Sequence, residues 1–358
     1  MHLQSKRLAA HVFALILVAM STTTLLVASD SSKAFAETGI DPLLDQQWGL
    51  TAIGARSVWS MTRGAGVTVA VIDSGSGPHP DLDANMDIGR TMFGSIDSAG
   101  MVDVDADKGH GTHVAGIIAA VADNGIGGAG VAPQSRVLPI RALDSLGAGY
   151  SMDVSKAVRF AVDTGAKVIN LSLGGEIEDP GLTAAIQYAV DRNVLVVAAA
   201  GNGAADSTPK WPAASDLTLA VTAVDQNISV TSFDQRGDYI DLAAPGTSIL
   251  STAKNEYSIQ SGTSMAAAFV SGAAALLFAA QPSITAAQVR DILQRTATDI
   301  GSPGRDTTFG YGIINLVAAF AELDVMFPKI ITASLTTKGR VGALAVGTAS
   351  TSATTATS

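Results

Sequence analysis

The sequence predicts an α/β fold: a three-layer, mostly parallel twisted sheet with helices on both faces. Two observations carry this. The strand-like runs, "VTVAVID", "KVINLSLGG" and "VLVVAAAGN" among them, are apolar throughout instead of alternating, as in sheets buried on both faces. They also alternate with segments of helical spacing, which makes neighbouring strands parallel. In such a sheet the connecting loops gather at the carboxyl ends of the strands, and active residues are expected there.

The elements follow in order from Val67. "VTVAVID" is a strand ending in the carboxylate of Asp73, and "HVAGIIAAVA" is a helix rich in Ala and Ile. "RVLPIRAL" is a strand, and "MDVSKAVRFAVDTG" is a helix closed by Gly165. "KVINLSLGG" is a strand, "GLTAAIQYAVDRN" a helix, and "VLVVAAAGN" and "LTLAVTAVD" are further strands. "SGTSMAAAFVSGAAALL", residues 261–277, reads as a buried helix of small residues opening on Gly-Thr-Ser. After Pro282 comes the helix "TAAQVRDILQRTATDI", then "GYGIINLVAAF" as a closing turn and short helix. Residues 37–322 form one domain. Residues 323–358 turn to Ala, Thr, Ser and Val, a composition that suits a linker or tail.

With 358 residues, 47% of them hydrophobic, the chain can bury a large core. The net charge of −10 argues against a nucleic-acid partner. The absence of cysteine excludes disulfides, thiolate zinc sites and a cysteine nucleophile. Residues 1–36 read as a signal peptide: Lys6 and Arg7, the apolar "VFALILVAM", then the small-x-small "AFA" ending at Ala36. A secreted protein is therefore expected. Cleavage removes three basic residues and one acidic one, taking the net charge to −12, and leaves His79, His110 and His113 as candidate bases.

A nucleophile needs a base, and the base needs an orienting group. Asp73 ends a strand, His110 starts a helix in "GHGTHVAG", and Ser264 opens the helix quoted above. His110 would take the proton of Ser264, and Asp73 would hold the imidazole tautomer and stabilise the imidazolium. His113 lies three residues after His110, so both cannot face one serine; it reads as a structural helix residue. His79, in "PHPDL", reads as a surface loop residue. The H-x-x-H spacing lacks the adjacent Glu of a zinc helix. "GIGGAG", residues 125–130, matches G-x-G-x-x-G but follows a helix, with no acid about twenty residues on, so no dinucleotide or other organic cofactor is expected.

"VAVIDSG", "HGTHVAG" and "GTSMAA" together resemble the three signature blocks of the subtilisin-like serine proteases, in the same Asp, His, Ser order. The resemblance spans about residues 41–322. It implies a subtilisin-like fold and a secreted endopeptidase of broad specificity, acting through an acyl-enzyme with an apolar preference at P1, the residue preceding the cleaved bond. It makes Asp73, His110 and Ser264 catalytic and makes the side chain of Asn202, in "AAAGNG", an oxyanion donor. "SLGG" and "LDSLGAG" match the substrate-binding segments, which puts Leu143, Gly147, Ser172, Leu173 and Gly174 against a peptide added as a strand. Leu143, Leu146 and Leu173 then suggest apolar pockets. A structural Ca2+ site is implied at Asp41, Asp81 and Asn124 with the carbonyls of Ala122, Ile126 and Gly128. The implied partners are polypeptides, and a monomer is expected.

Two departures from the family pattern stand out. Ala268 and Phe269 replace the usual Pro and His of the serine block. Alanine lets the helix turn close normally, which would shift Ser264 and slow turnover. A few residues only separate Ala36 from Asp41, where secreted relatives commonly carry a pro-domain, so the chain is expected to fold unaided, with calcium, or with a helper or inhibitor acting in trans. A binding protein without protease activity is the rival that these departures suggest. An esterase is disfavoured because the serine sits in Gly-Thr-Ser-Met-Ala, not G-x-S-x-G.

Overall fold

The computed structural model describes residues 39–100, 102–254 and 256–328. The expected signal peptide and the tail beyond residue 328 lie outside them. The strands are β1 Thr68–Asp73, β2 Arg90–Phe93, β3 Ile96–Ala99, β4 Arg136–Arg141, β5 Val168–Leu171, β6 Leu195–Ala199, β7 Leu219–Val224, β8 Leu242–Pro245, β9 Ile249–Thr252 and β10 Tyr257–Gln260. The first eight form one sheet in the order β3-β2-β4-β1-β5-β6-β7-β8, and β9 and β10 form a separate hairpin. Within the large sheet only β2 and β3 pair antiparallel.

The helices are α1 Trp48–Ala52, α2 Ala55–Val58, α3 His110–Ala119, α4 Ser151–Asp163, α5 Pro180–Val190, α6 Thr263–Ala280, α7 Ala286–Arg295 and α8 Leu316–Met326. They cover both faces of the sheet. Val69 and Val71 of β1 pack in one core with Val114 of α3 and Leu276 of α6, while Ala70 and Ile72 pack in the other with Val154 of α4 and Ile186 of α5. Successive residues of a strand point to opposite faces, so both alternating sets are apolar and the strands read as unbroken apolar runs.

Local chemistry sets the helix starts. Asp179 caps α5, accepting from Leu182 N at 2.9 Å, with Pro180 at the first helical position. Thr285 and Gln288 form a capping box at α7. Helix α6 is the central one: every residue from Thr263 to Phe278 is buried. The final helix runs on to Met326, past the expected domain boundary at 322.

This topology prepares the site. β1, β5 and β6 are adjacent and parallel, so Asp73, Leu171 and Ala199 end side by side on one rim. Helix α6 lies across that part of the sheet and begins at the same rim.

Candidate active site

Asp73 is the last residue of β1 and is fully buried. His110 is the first residue of α3. Glycine permits the approach of the two elements: a Cβ on Gly111 would lie 1.8 Å from the Gly75 carbonyl oxygen and 3.1 Å from Asp73 Cβ. His110 Nδ1 thereby sits 2.9 Å from Asp73 Oδ1 and 3.0 Å from Oδ2. Asp73 Oδ1 also accepts from Ser74 N at 2.7 Å, which fixes the carboxylate. Burial by itself disfavours the imidazolium, but the Asp73 carboxylate, helped by Asp105 and Asp103, outweighs it and lifts the His110 pKa to about 9.

Ser264 lies in the first turn of α6. Its Oγ donates to the Ser172 carbonyl at 3.4 Å. Contrary to the sequence expectation, no hydrogen bond joins it to His110. The hydroxyl has rotated to the nearby carbonyl acceptor, and such bonds are often loose before substrate arrives. The α6 N-terminus is pinned to β5 by a buried polar chain. Ser271 Oγ donates to Asn170 Oδ1, Asn170 Nδ2 to Ser172 Oγ, and Ser172 Oγ to the Ser264 carbonyl, each at 2.9 Å. In a regular helix that same carbonyl takes the Ala268 N–H, so Ala268 supplies a bond that proline could not.

Asn202 follows the end of β6. Its Oδ1 accepts from Thr263 N and from Thr263 Oγ1, both at 2.9 Å, while Gly201 N donates to Thr263 Oγ1 at 3.1 Å. With its carbonyl held, the Asn202 amide turns its NH2 toward the start of α6, where a Cβ on Gly262 would lie 3.1 Å from Nδ2. Asn202 and Ser264 line the same cavity. Among the described residues neither Asn202 Nδ2 nor Ser264 N–H has a hydrogen-bond partner. Two free donors therefore stand at the positive end of a helix, a suitable place for a developing anion.

Two depressions meet at Ser172, Leu173 and Gly174. The larger, about 530 Å3, runs past His110 and holds Leu143, Leu146 and Gly147. The smaller, about 220 Å3, holds Ser264 and Asn202. The structure thus brings the expected substrate-binding residues to one groove, but Leu143 and Leu146 line its larger part and do not line the cavity of Ser264.

Over residues 64–312 the sequence matches the Subtilase family. The chain belongs to the subtilase family. This subtilase is 40% identical over 276 residues to thermitase of Thermoactinomyces vulgaris, spanning 76% of this chain and 95% of the relative. It is 39% identical over 274 residues to subtilisin Savinase of Lederbergia lenta, spanning 76% and 97%. A solved structure titled for proteases from Pseudoalteromonas arctica matches with a TM-score of 0.74 at 32% identity, covering 80% of this chain and 99% of that one. The protein is a serine endopeptidase of the subtilisin type.

The residues expected to hold calcium in this subtilase converge on one loop. Asp41 accepts from the N–H groups of Asp123, Asn124 and Gly125 at 2.7, 3.0 and 3.1 Å. Asp81 accepts from Asn124 Nδ2 at 2.7 Å, Gly128 N at 3.3 Å and Tyr257 Oη at 3.2 Å. Ala122 and Ile126 belong to the same loop. Asp41 and Asp81 are 3% and 0% exposed, and among the described residues neither has a Lys, Arg or His ion-pair partner. Burial pushes the Asp81 pKa up to about 6. No group of three or more His, Cys, Asp or Glu placed to hold a metal occurs among the described residues; the rest of this donor set is amide and carbonyl oxygen. Two buried carboxylates lacking a counter-charge fit a calcium ion, but here N–H and O–H donors face them and the Asn124 amide oxygen accepts from Ile126 N at 3.0 Å, so the amide would have to turn to serve as a ligand.

The other histidines serve structure. His113 is fully buried, with Nε2 3.0 Å from the Ile249 carbonyl and 3.1 Å from that of Ser258, tying α3 to the β9–β10 hairpin. Burial pushes its pKa down to about 4. His79 corrects the sequence reading: it is 2% exposed, not a surface residue. Its Nε2 bonds the Glu256 carbonyl at 3.0 Å, its Nδ1 accepts from Asp81 N at 3.1 Å, and its ring meets Tyr257 edge-on. Sequence reasoning also passed over Thr263, which clamps Asn202, and Asn170 and Ser271, which anchor α6. Only Thr263 had a local signal, lying inside "GTSMAA".

Proposed function

We propose that Asp73, His110 and Ser264 carry out acyl transfer in this endopeptidase. The observation that carries the reading is the Asp73–His110 pair placed on the same rim as Ser264, whose helix start faces the free Asn202 amide. When a peptide binds, the Ser264 hydroxyl leaves the Ser172 carbonyl and gives its proton to His110 Nε2 as Oγ attacks the peptide carbonyl carbon. Asp73 holds Nδ1–H and offsets the imidazolium charge. The oxyanion lies against Asn202 Nδ2 and Ser264 N–H. His110 then protonates the departing amine, and water, deprotonated by His110, hydrolyses the acyl-enzyme.

The groove favours extended polypeptides. The residues from Ser172 to Gly174 and from Leu143 to Gly149 offer two backbone edges between which a peptide adds as a strand. Apolar side chains find Leu143, Val154 and Leu182 in the larger depression. Leu173 and Ala199 give the cavity of Ser264 an apolar wall, which supports the apolar P1 preference.

We further infer secretion after cleavage behind Ala36, action as a monomer, and a structural calcium ion held by Asp41, Asp81, Asn124 and the carbonyls of Ala122, Ile126 and Gly128. Bound there, calcium would neutralise the two buried carboxylates and fasten the N-terminal segment to the 122–128 loop. A folding helper or inhibitor in trans remains part of this reading. Digestion of an unfolded protein by the purified chain tests the activity: fragments are expected, and Ser264→Ala must abolish them.

A further inference from the structure

The cavity beside Ser264 is apolar on one side only. Of the side chains lining it, a single one is charged, Lys210. The carbonyl whose oxygen meets Asn202 and Ser264 belongs to the P1 residue, so the P1 side chain is the one that enters this cavity.

Lys210 is held there by backbone. The residue after it, Trp211, pairs with the substrate edge: Gly175 N donates to the Trp211 carbonyl and Trp211 N to the Gly175 carbonyl, both at 2.8 Å. The lysine stem passes two glycines. A Cβ on Gly174 would lie 3.1 Å from Lys210 Cβ, and one on Gly201 would lie 2.7 Å from Lys210 Cγ. The methylenes therefore form part of the wall. The ammonium pairs with Glu176 Oε1 at 3.0 Å, with side-chain exposures of 23% for the lysine and 71% for the glutamate. An ion pair with so exposed a partner is weak, and a carboxylate arriving inside the cavity can replace it.

The geometry points to Lys210 as a specificity-determining residue that makes this cavity accept an acidic P1 side chain. The inference rests on the reading of Ser264 as nucleophile. A P1 glutamate lays its methylenes against Leu173 and Ala199 and presents its carboxylate to Nζ in place of Glu176. A glutamine of the same shape lacks the charge, and a P1 lysine or arginine meets a like charge, so discrimination has both an attractive and a repulsive part. Apolar P1 residues still use the Leu173 wall.

The test is kcat/KM of the purified chain on peptides identical except for Glu, Gln, Leu or Lys at P1. Glu is expected to exceed Gln on the order of tenfold at low salt, the size of a partly screened charge pair, and Lys to be the poorest. Raised salt and Lys210→Gln should both bring the Glu/Gln ratio toward one. Glu176→Gln, which removes the competing carboxylate, should raise it. Each ratio is taken on one preparation, so the fraction of folded protein cancels. A wild-type ratio at or below one, or a ratio that neither variant moves, overturns the assignment of Lys210. Absence of cleavage of all four peptides, or cleavage that survives Ser264→Ala, would instead overturn the nucleophile.

Discussion

The Asp73 carboxylate meets His110 Nδ1 with both oxygens, at 2.9 and 3.0 Å, and does so without exposure to solvent. A buried carboxylate in this position both orients the ring and favours its protonated form. Asp105 adds to that effect from the loop before α3, where it accepts from Gly109 N at 2.9 Å.

With His110 as the proposed general base, catalysis requires the neutral imidazole, so activity is expected to rise with pH through the pKa of the folded protein. The acid limb of kcat/KM is expected well above the ordinary imidazole value of about 6.5, toward 9. Asp105→Asn should move that limb to lower pH. Stability runs the other way. A histidine whose pKa is raised by folding contributes stability fully below about 6.5, and that contribution is lost as pH climbs through the folded value. A pH–rate profile beside a melting series across pH 6–10 checks both trends. An acid limb at or below 6.5 would contradict the account.

Asn202→Ala removes one of the two proposed oxyanion donors. In subtilisin itself the loss of such a donor costs roughly 10²–10³-fold in kcat, and a loss of that order is expected here with little change in KM. Thr263→Val leaves the amide in place and keeps the backbone N–H bond to its carbonyl, but removes the hydroxyl half of the clamp. It should lower kcat less than Asn202→Ala and in the same direction. A variant that raises KM alone would mean that the clamp serves ground-state binding.

The calcium reading predicts that a chelator lowers the melting temperature by several degrees and that added calcium restores it, since a ligand held only by the folded state stabilises by mass action. Asp81→Asn should make the melt insensitive to both. A wild-type melt unmoved by chelator would leave Asp41 and Asp81 satisfied by N–H and O–H donors alone.

The chain Ser271–Asn170–Ser172 predicts a stability effect away from the chemistry. Asn170→Ala leaves the buried Ser271 hydroxyl unpaired and takes a donor from Ser172. A loss of about 1–3 kcal/mol is expected in denaturant unfolding. Combining it with Ser271→Ala should cost less than the sum of the two single changes, because both remove the same bond.

Legibility followed burial. β1, β4, β5, β6 and β7 were readable because both faces are covered and the runs are apolar end to end. β3 was hidden because all four of its residues are exposed; β9 and β10 mix buried with half-buried or exposed positions; and β8, Leu-Ala-Ala-Pro, is buried but lacks the β-branched residues that mark β5 as a strand. Asp73, His110 and Ser264 were readable because each closes or opens a regular element beside small residues. Lys210 and His79 were not. Lys210 gains its meaning only when residues 202–212 fold back against Gly174, and His79 is buried by Tyr257 and the Glu256 carbonyl, nearly 180 residues away. A lone positive charge or a loop histidine carries no trace of such partners in its own neighbourhood.

Ser264 Oγ is the oxygen proposed to attack the peptide carbonyl. A fluorophosphonate probe followed by peptide mass mapping measures that directly. One label per chain is expected, on Ser264, lost in Ser264→Ala and strongly slowed in His110→Ala. Labelling at another residue, or none on protein that still digests an unfolded substrate, would contradict it.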